Sequence, residues 1–266
     1  MDHDVYQQMF ETERDHWWFA ARHRLARSLL DRYLASSVGL QNSARPRVAD
    51  LGCGCGMTAV RLADKYDVVG LDMSDSAIDF CTQRGVSVLK GFLPDSIPFE
   101  DGSFDAVLML DVLEHVERDA DSVRAAAQLL RPGGVMICTS PAYQWLWTTR
   151  DEHHHHYRRY TRKSFQSLFE TNELSDELSV EVSSYANTFL FGLAVAQRLK
   201  QKLFPLRTGQ SDVDVPAEPV NALMREIFAS ERHLLGRVSL PFGLSVISVA
   251  RRVEKALQIS PIRRAA

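Results

Sequence analysis

Between residues 46 and 141 short apolar runs alternate with amphipathic ones. RVADLG is an apolar run that stops at glycine and reads as a first strand; TAVRLADKY follows as a helix. YDVVGLD reads as a second strand, SDSAIDFCTQRG as a helix, and VSVLKG as a third strand. FDAVLMLD is a fourth strand, ADSVRAAAQLLRPGG a helix with a glycine stop, and VMICTSP a fifth strand. Strands alternating with helices predict a parallel sheet covered on both faces, and right-handed crossovers limit it to a few doubly wound arrangements. Ahead of this block, residues 5–36 read as helical, with Trp17, Trp18, Leu25, Leu29 and Leu30 as buried positions; SSVGLQNSARP then breaks the pattern. After residue 140, TRKSFQSLFETN reads as a helix with Thr161 as its N-cap, and SVEVSSYA as a strand. Residues 188–238 are mostly helical, interrupted by TGQSDVDVPAEP, a mobile loop by composition. GLSVISVARR reads as a last strand, and VEKALQISPIRRAA as a partly disordered tail.

Composition narrows the class. The 266 residues are 45% hydrophobic and 24% charged, ordinary for a soluble globular chain with a substantial core. The formal charge, 31 minus 34 or −3, gives no reason to expect nucleic acid as a partner. MDHDVYQQMF lacks the apolar core of a secretory signal, and no apolar run approaches the roughly 20 residues that span a bilayer. The spacing of Cys53, Cys55, Cys81 and Cys138 suggests no disulfide framework, so a reducing cytoplasm is the expected location. Cys53 and Cys55 have no second ligand pair at zinc spacing; they read as small residues for close packing, and no metal is expected.

The most informative stretch is VADLGCGCGMTAV, which sets Gly52, Gly54 and Gly56 between a strand and a helix. Such a loop lets backbone approach a ligand at the carboxyl end of a parallel strand. Two cofactor classes compete. Dinucleotide enzymes favour G-x-G-x-x-G, where a helix N-terminus receives a pyrophosphate. Here the spacing is G-x-G-x-G and Asp50 precedes it. A carboxylate there repels a pyrophosphate but suits a cationic amino-acid group. Asp72, ending the second strand in VVGLDMS, suits both hydroxyls of a ribose. An amino-acid end and a nucleoside end together describe S-adenosylmethionine.

With VADLGCGCG, VVGLDMS, FDAVLMLDVLEHV and LLRPGGVMICTSP in this order, residues 46–140 resemble the class I S-adenosylmethionine-dependent methyltransferases. The LDVLEHV segment is most similar to their small-molecule and ubiquinone-type branch. The resemblance implies an α/β fold: a Rossmann-like, doubly wound, seven-stranded sheet with the last strand antiparallel, N-terminal helices, and a helical insertion before the last strand. Its division would be an N-terminal helical cap (1–45), the cofactor-binding core (46–185), the helical insertion (186–240), and the last strand with a basic tail (241–266). It implies Asp50 near the methionine amino group, Gly52, Cys53 and Gly54 under the cofactor, Asp72 with Met73 at the ribose, and Leu110 and Asp111 at the methionine end. The family usually has an acidic residue after the third strand; here Phe92 stands in its place, so Phe92 or Leu93 would pack on the adenine. HWWFAARHRL resembles an N-terminal helix of part of the family, which would bring Trp18 and Arg22 over the cofactor.

HYRRYT, at the end of the run DEHHHHYRRYT, resembles a pattern that related methyltransferases carry after the fifth strand. It marks His156 as the family histidine and His153 to His155 as local additions. A histidine with pKa near about 6.5 can take a hydroxyl proton at neutral pH, which makes His156 the candidate base. His115 and Tyr160 complete the catalytic candidates; Arg159, Tyr143 and His153 are the substrate-binding ones. The alternatives for the run are a solvated loop and a metal site, the latter disfavoured because adjacent side chains on an extended chain point apart. Arg158 and Arg159 suit an acidic substrate or neighbouring carboxylates equally. NTFLFGLAVAQRLKQKLF, apolar then basic, reads as a lid, a homodimer surface, a peripheral membrane contact or a core-packed helix. The expected activity is methyl transfer from S-adenosylmethionine to a small organic acceptor, at oxygen first. Alternatives are an N- or C-methyltransferase of a natural product or lipid-linked substrate, an NAD-type oxidoreductase, or a catalytically silent cofactor-binding scaffold.

Overall fold

The structure, a computed structural model, describes residues 3–35, 45–171, 173–203 and 215–254. Parts of the proposed mobile loop and tail fall outside these residues. Seven strands form one sheet: β1 (Arg47–Leu51), β2 (Asp67–Asp72), β3 (Val88–Lys90), β4 (Phe104–Leu110), β5 (Leu130–Pro141), β6 (Leu178–Ala186) and β7 (Ser245–Arg252). Their order is β3-β2-β1-β4-β5-β7-β6, and β7 runs antiparallel to both neighbours. The doubly wound sheet with an antiparallel last strand is therefore as expected.

The strand sequences dictate this arrangement. β4 is buried along its whole length, FDAVLML, as a central parallel strand must be. Its side chains alternate between two cores. Val107 and Met109 join one cluster, with α5 (Asp119–Leu129); Ala106, Leu108 and Leu110 join the other, with Leu25, Leu29 and Leu30 of α2 (Trp17–Ala35). The strand order reverses between the parallel strands β1 and β4, and at such a switch point open α/β sheets bind ligands in a crevice outside the carboxyl ends.

Three boundaries differ from the expectation. The stretch read as helical from residue 5 forms, among the described residues, two helices, α1 (His3–Thr12) and α2, broken at residues 13–16. The break is held from a distance: Asn221, on α9 (Glu218–Ser230), accepts the Trp17 amide at 2.8 Å and donates to the Asp15 carbonyl at 2.8 Å. Glu13, at the break, is buried in an ion pair with Arg84. The helix over 120–134 stops at Leu129, and its RPGG tail is already part of β5. The stretch after Thr161 is helical only over α7 (Arg162–Gln166), with Thr161 capping it by accepting the Ser164 amide.

After β6, α8 (Phe191–Leu203) and α9 return the chain to β7. The joint is Glu231, fully buried, whose carboxylate accepts the amides of Asn187, Thr188 and Phe189 at 2.7, 2.7 and 3.0 Å. Replacing it by Ala strands these donors, each at a cost of about 1–3 kcal/mol if buried. Glu231→Ala is expected to lower unfolding free energy by about 2–4 kcal/mol in chemical denaturation. A change below about 0.5 kcal/mol, the size of an ordinary surface substitution, would show that the clamp contributes little.

Candidate active site

β1 ends at Leu51 and the chain turns through the glycine loop into α3 (Met57–Leu62). Gly52 and Gly54 have φ of 71° and 55°, where a side chain is strained. A Cβ would also collide, at 2.7 Å from Val112 Cγ2 for Gly52 and 2.8 Å from Met9 Cε for Gly54. The Gly52 and Cys53 amides donate to the Leu71 carbonyl at 2.7 and 3.0 Å, which ties the loop to β2. Helix α1 therefore lies directly over the loop, with Tyr6 buried beneath it.

Two carboxylates flank the turn. Asp50, on β1, is 2% exposed, and its Oδ2 has no hydrogen-bond partner. Burial pushes its pKa up to about 7, against the pull of the Arg22 guanidinium. Asp72 ends β2 and is also buried. Its Oδ2 accepts the Gly54 amide at 2.9 Å; its Oδ1 accepts the Ser74 amide at 3.0 Å and the Tyr6 hydroxyl at 3.4 Å. Burial raises the Asp72 pKa, opposed by the two amides.

At the end of β4, Asp111 adopts φ 59° and its amide donates to the Thr139 carbonyl at 3.0 Å. Arg22 of α2 reaches it, Nη1 to Oδ2 at 2.6 Å, and also donates to the Leu110 carbonyl at 3.2 Å. The Trp18 ring lies 4.7 Å from the guanidinium carbon. Arg22 Nε and Asp111 Oδ1 are both buried without partners, and both residues line a small cavity with Trp18, Leu110, Thr139 and Phe228.

Beyond Asp111 the chain makes a 3-10 turn, Leu113–His115. Glu114 is 1% exposed; Oε2 accepts the Ser140 hydroxyl at 2.8 Å and Oε1 has no partner. Burial, with the Asp111 carboxylate adding to it, pushes the Glu114 pKa well above the usual range. Burial and then His156 pull His115 down to about 3, so its ring is neutral. The His115 and His156 rings meet edge to face, centroids 4.5 Å apart. His156 Nδ1 lies 2.9 Å from Asp151 Oδ1, so Nδ1 donates to that carboxylate and leaves Nε2 on the other side of the ring. Asp151 also binds Arg159, Nε at 2.7 Å and Nη2 at 2.9 Å, and caps α6 (Thr149–His153) by accepting the Thr148 amide at 2.7 Å. Burial alone would raise Asp151, but His156 and Arg159 outweigh it and hold the carboxyl far below its ordinary value.

Asp50, Asp72, the glycines, Leu110, Asp111, Trp18, Arg22, His115 and His156 thus lie on or over the carboxyl end of the sheet. Other candidates point elsewhere. The Tyr160 hydroxyl is spent on Asp119 at 2.8 Å and the Leu113 carbonyl at 3.2 Å, inside the core. Arg159 is occupied by Asp151, and Arg158 by Asp119 at 2.6 Å, so of the two readings of this pair the structure displays the carboxylate one. His153 is exposed on α6, its Nδ1 2.7 Å from the Thr149 carbonyl. Tyr143 stacks on Tyr185, centroids 5.0 Å apart. Met73 and Phe92 are exposed, while Leu93 packs against the core. Cys53 faces Cys81, sulfurs 3.8 Å apart. Sequence reasoning missed Tyr6, Asp151 and Ser140. Asp151 stands beside the histidine run and was open to suspicion; Tyr6 lies 66 residues from its partner and had no signal.

A family model described as a methyltransferase domain matches residues 49–138. The chain is 30% identical over 151 residues to the ubiquinone biosynthesis O-methyltransferase of Roseobacter denitrificans, a match covering 49% of this chain and 60% of that protein. It is 33% identical over 100 residues to the 27-O-demethylrifamycin SV methyltransferase of Amycolatopsis mediterranei, covering 34% of this chain and 37% of that one. The chain thus spans less than two thirds of the length of these relatives. Among solved structures, a Haloferax volcanii methyltransferase in complex with the Trm112 activator superposes with TM-score 0.55 at 20% identity, covering 96% of this chain and 95% of that one. The geranyl diphosphate C-methyltransferase of Streptomyces coelicolor superposes with TM-score 0.53 at 15% identity, covering 86% and 79%. The glycine loop, the strand order and these likenesses make residues 49–138 similar to the class I S-adenosylmethionine-dependent methyltransferases.

Proposed function

We propose that this protein transfers the methyl group of S-adenosylmethionine to an oxygen of a small organic acceptor. The observation that carries the reading is the charge pattern at the β1–β4 crevice. Asp50 and Asp111 each keep a buried oxygen without a partner, and Arg22 keeps a buried Nε–H. A zwitterionic methionine end supplies the missing ammonium and carboxylate together. The glycine loop gives backbone access beside it, and Asp72 is the acid suited to the ribose, with the long Tyr6 contact as the one to be exchanged. Phe92 and Leu93 remain the proposed adenine neighbours.

The cofactor, when bound, supplies an activated methyl group and its own leaving group. What remains for the chain is alignment, exclusion of water and acceptance of the acceptor's proton. Trp18, Arg22 and α1 cover the crevice. His156 Nε2 is the proton-accepting atom, because Asp151 holds the proton on the other nitrogen. Oxygen is favoured as acceptor by the names of the two relatives above; the C-methyltransferase likeness is one of fold. An NAD-type reaction is disfavoured by an acid before the glycine loop. Among the described residues no helix is long and apolar enough to cross a membrane. A peripheral contact or a dimer through α8 stays part of this proposal, with Phe189 and Leu193 exposed there.

Cofactor affinity should depend on pH through Asp50. Below about 7 the free protein carries a proton there, and a cationic ligand requires its loss. Binding is therefore present in full above pH 7 and weakens as pH falls. Calorimetry is expected to show about tenfold tighter S-adenosylmethionine binding at pH 8 than at pH 6, as one group with a pKa near 7 predicts. Equal affinities would remove Asp50 from the site, and preference for NAD would remove the cofactor assignment. His156→Ala is expected to lower turnover by about 10²–10⁴-fold with cofactor affinity kept. Wild-type turnover in that variant would exclude His156 as base, and a broad acceptor screen without S-adenosylhomocysteine release would favour the silent scaffold.

A further inference from the structure

We infer that Glu114, His115 and His156 form a binding site for a divalent transition-metal ion, on the acceptor side of the crevice. No spacing in the sequence suggested it, because the donors come from two segments. Glu114 and His115 ride on the turn after β4; His156 follows α6. A backbone hydrogen bond from the Tyr157 amide to the Glu114 carbonyl, 2.7 Å long, docks one segment on the other. A Glu114 oxygen and one ring nitrogen from each histidine then all lie within 4.8 Å of one another. Metal bonds of about 2.0–2.2 Å set neighbouring donors of a tetrahedral site roughly 3.5 Å apart, so closure on an ion needs side-chain shifts on the order of 1 Å.

Two further observations point to a ligand. First, Glu114 Oε1 is fully buried and has no partner, while Ser140 orients the other oxygen. A hydrogen-bonded cluster without an ion leaves that oxygen unsatisfied. Second, each histidine has one ring nitrogen engaged and one left over. Asp151 takes Nδ1 of His156, and the His154 backbone takes a ring nitrogen of His115. Metal-bound imidazoles are commonly oriented this way, by a carboxylate or a carbonyl on the far nitrogen.

Two imidazoles and one carboxylate suit an ion of the zinc or cobalt kind better than magnesium, which prefers oxygen donors. Three protein ligands leave a coordination position open, as in catalytic sites, where an acceptor oxygen can bind and lose its proton more easily. The inference rests on the reading of this crevice as the acceptor site. It replaces His156 as free base by His156 as ligand whenever the ion is bound.

The test uses the full chain, stripped with a chelator and then titrated with Zn²⁺ by calorimetry and with Co²⁺ by visible absorption, without acceptor. The expected result is uptake of about one ion per chain with Co²⁺ bands of imidazole ligation. His156→Ala and Glu114→Gln should each weaken uptake by at least about tenfold, as should Asp151→Asn through loss of ring orientation. No heat and no Co²⁺ bands in the wild-type chain overturns the site, whatever the folding of the variants. Uptake that His156→Ala and Asp151→Asn both leave unchanged also overturns it. S-adenosylmethionine titrated into the same samples reads the other claim separately. Cofactor binding without ion uptake sinks the metal site alone; ion uptake without cofactor binding sinks the methyltransferase reading alone.

Discussion

The Asp72 carboxylate holds the glycine-loop side of this molecule together. Its two oxygens receive the amide of the glycine loop, the amide that opens α4 (Asp75–Gln83), and the Tyr6 hydroxyl of α1. Two segments distant in sequence, the glycine loop and α1, meet the start of α4 on one buried carboxylate. Amide donors make such a charge tolerable away from water, as burial alone would not. The loop is then positioned by β2 from both sides, through Asp72 and through the Leu71 carbonyl.

Around that hub the crevice is short of positive charge. Asp50, Asp72, Asp111 and Glu114 are all buried or nearly so at the carboxyl ends of the strands, and Arg22 is the cation that reaches Asp111. Burial raises Asp50 and Glu114, and a neighbouring acid adds to it in each case, Asp72 at Asp50 and Asp111 at Glu114. A fold does not gain stability by gathering unpaired acids in a dry place. The buried oxygens left without partners are Asp50 Oδ2, Asp111 Oδ1 and Glu114 Oε1.

The backbone shows the same concentration of strain. Asp111, Tyr143 and Asn187, the non-glycine residues with positive φ just after β4, β5 and β6, all lie at the carboxyl edge of the sheet. Such conformations cost on the order of 1–3 kcal/mol each and persist only where packing over-determines them. Here the Thr139 carbonyl holds the Asp111 amide, the Tyr160 carbonyl holds the Tyr143 amide at 2.8 Å, and Glu231 holds Asn187. The edge is a set of sharp turns, each clamped from outside its own strand.

The alternating fold and the glycine loop were legible in the sequence because their causes are local. Strand and helix periods show within a dozen residues, glycine spacing within five, and Asp50 and Asp72 sit on strand ends that those periods predict. The break in the N-terminal helix was not legible, because Asn221 of α9 holds it across 204 residues. Nor was the use of the histidine run. Sequence placed His156 near the site by resemblance, but only the folded chain turned it edge-on to His115, set Asp151 behind it, and withdrew Arg159 into the same carboxylate. Tyr160 was moved from candidate to core by the same folding, since Asp119 claims its hydroxyl. Local periodicity thus determined which residues reach the rim of the sheet. Which side chains meet there was decided by tertiary contacts, because direction and partner depend on groups that only folding brings within hydrogen-bond reach.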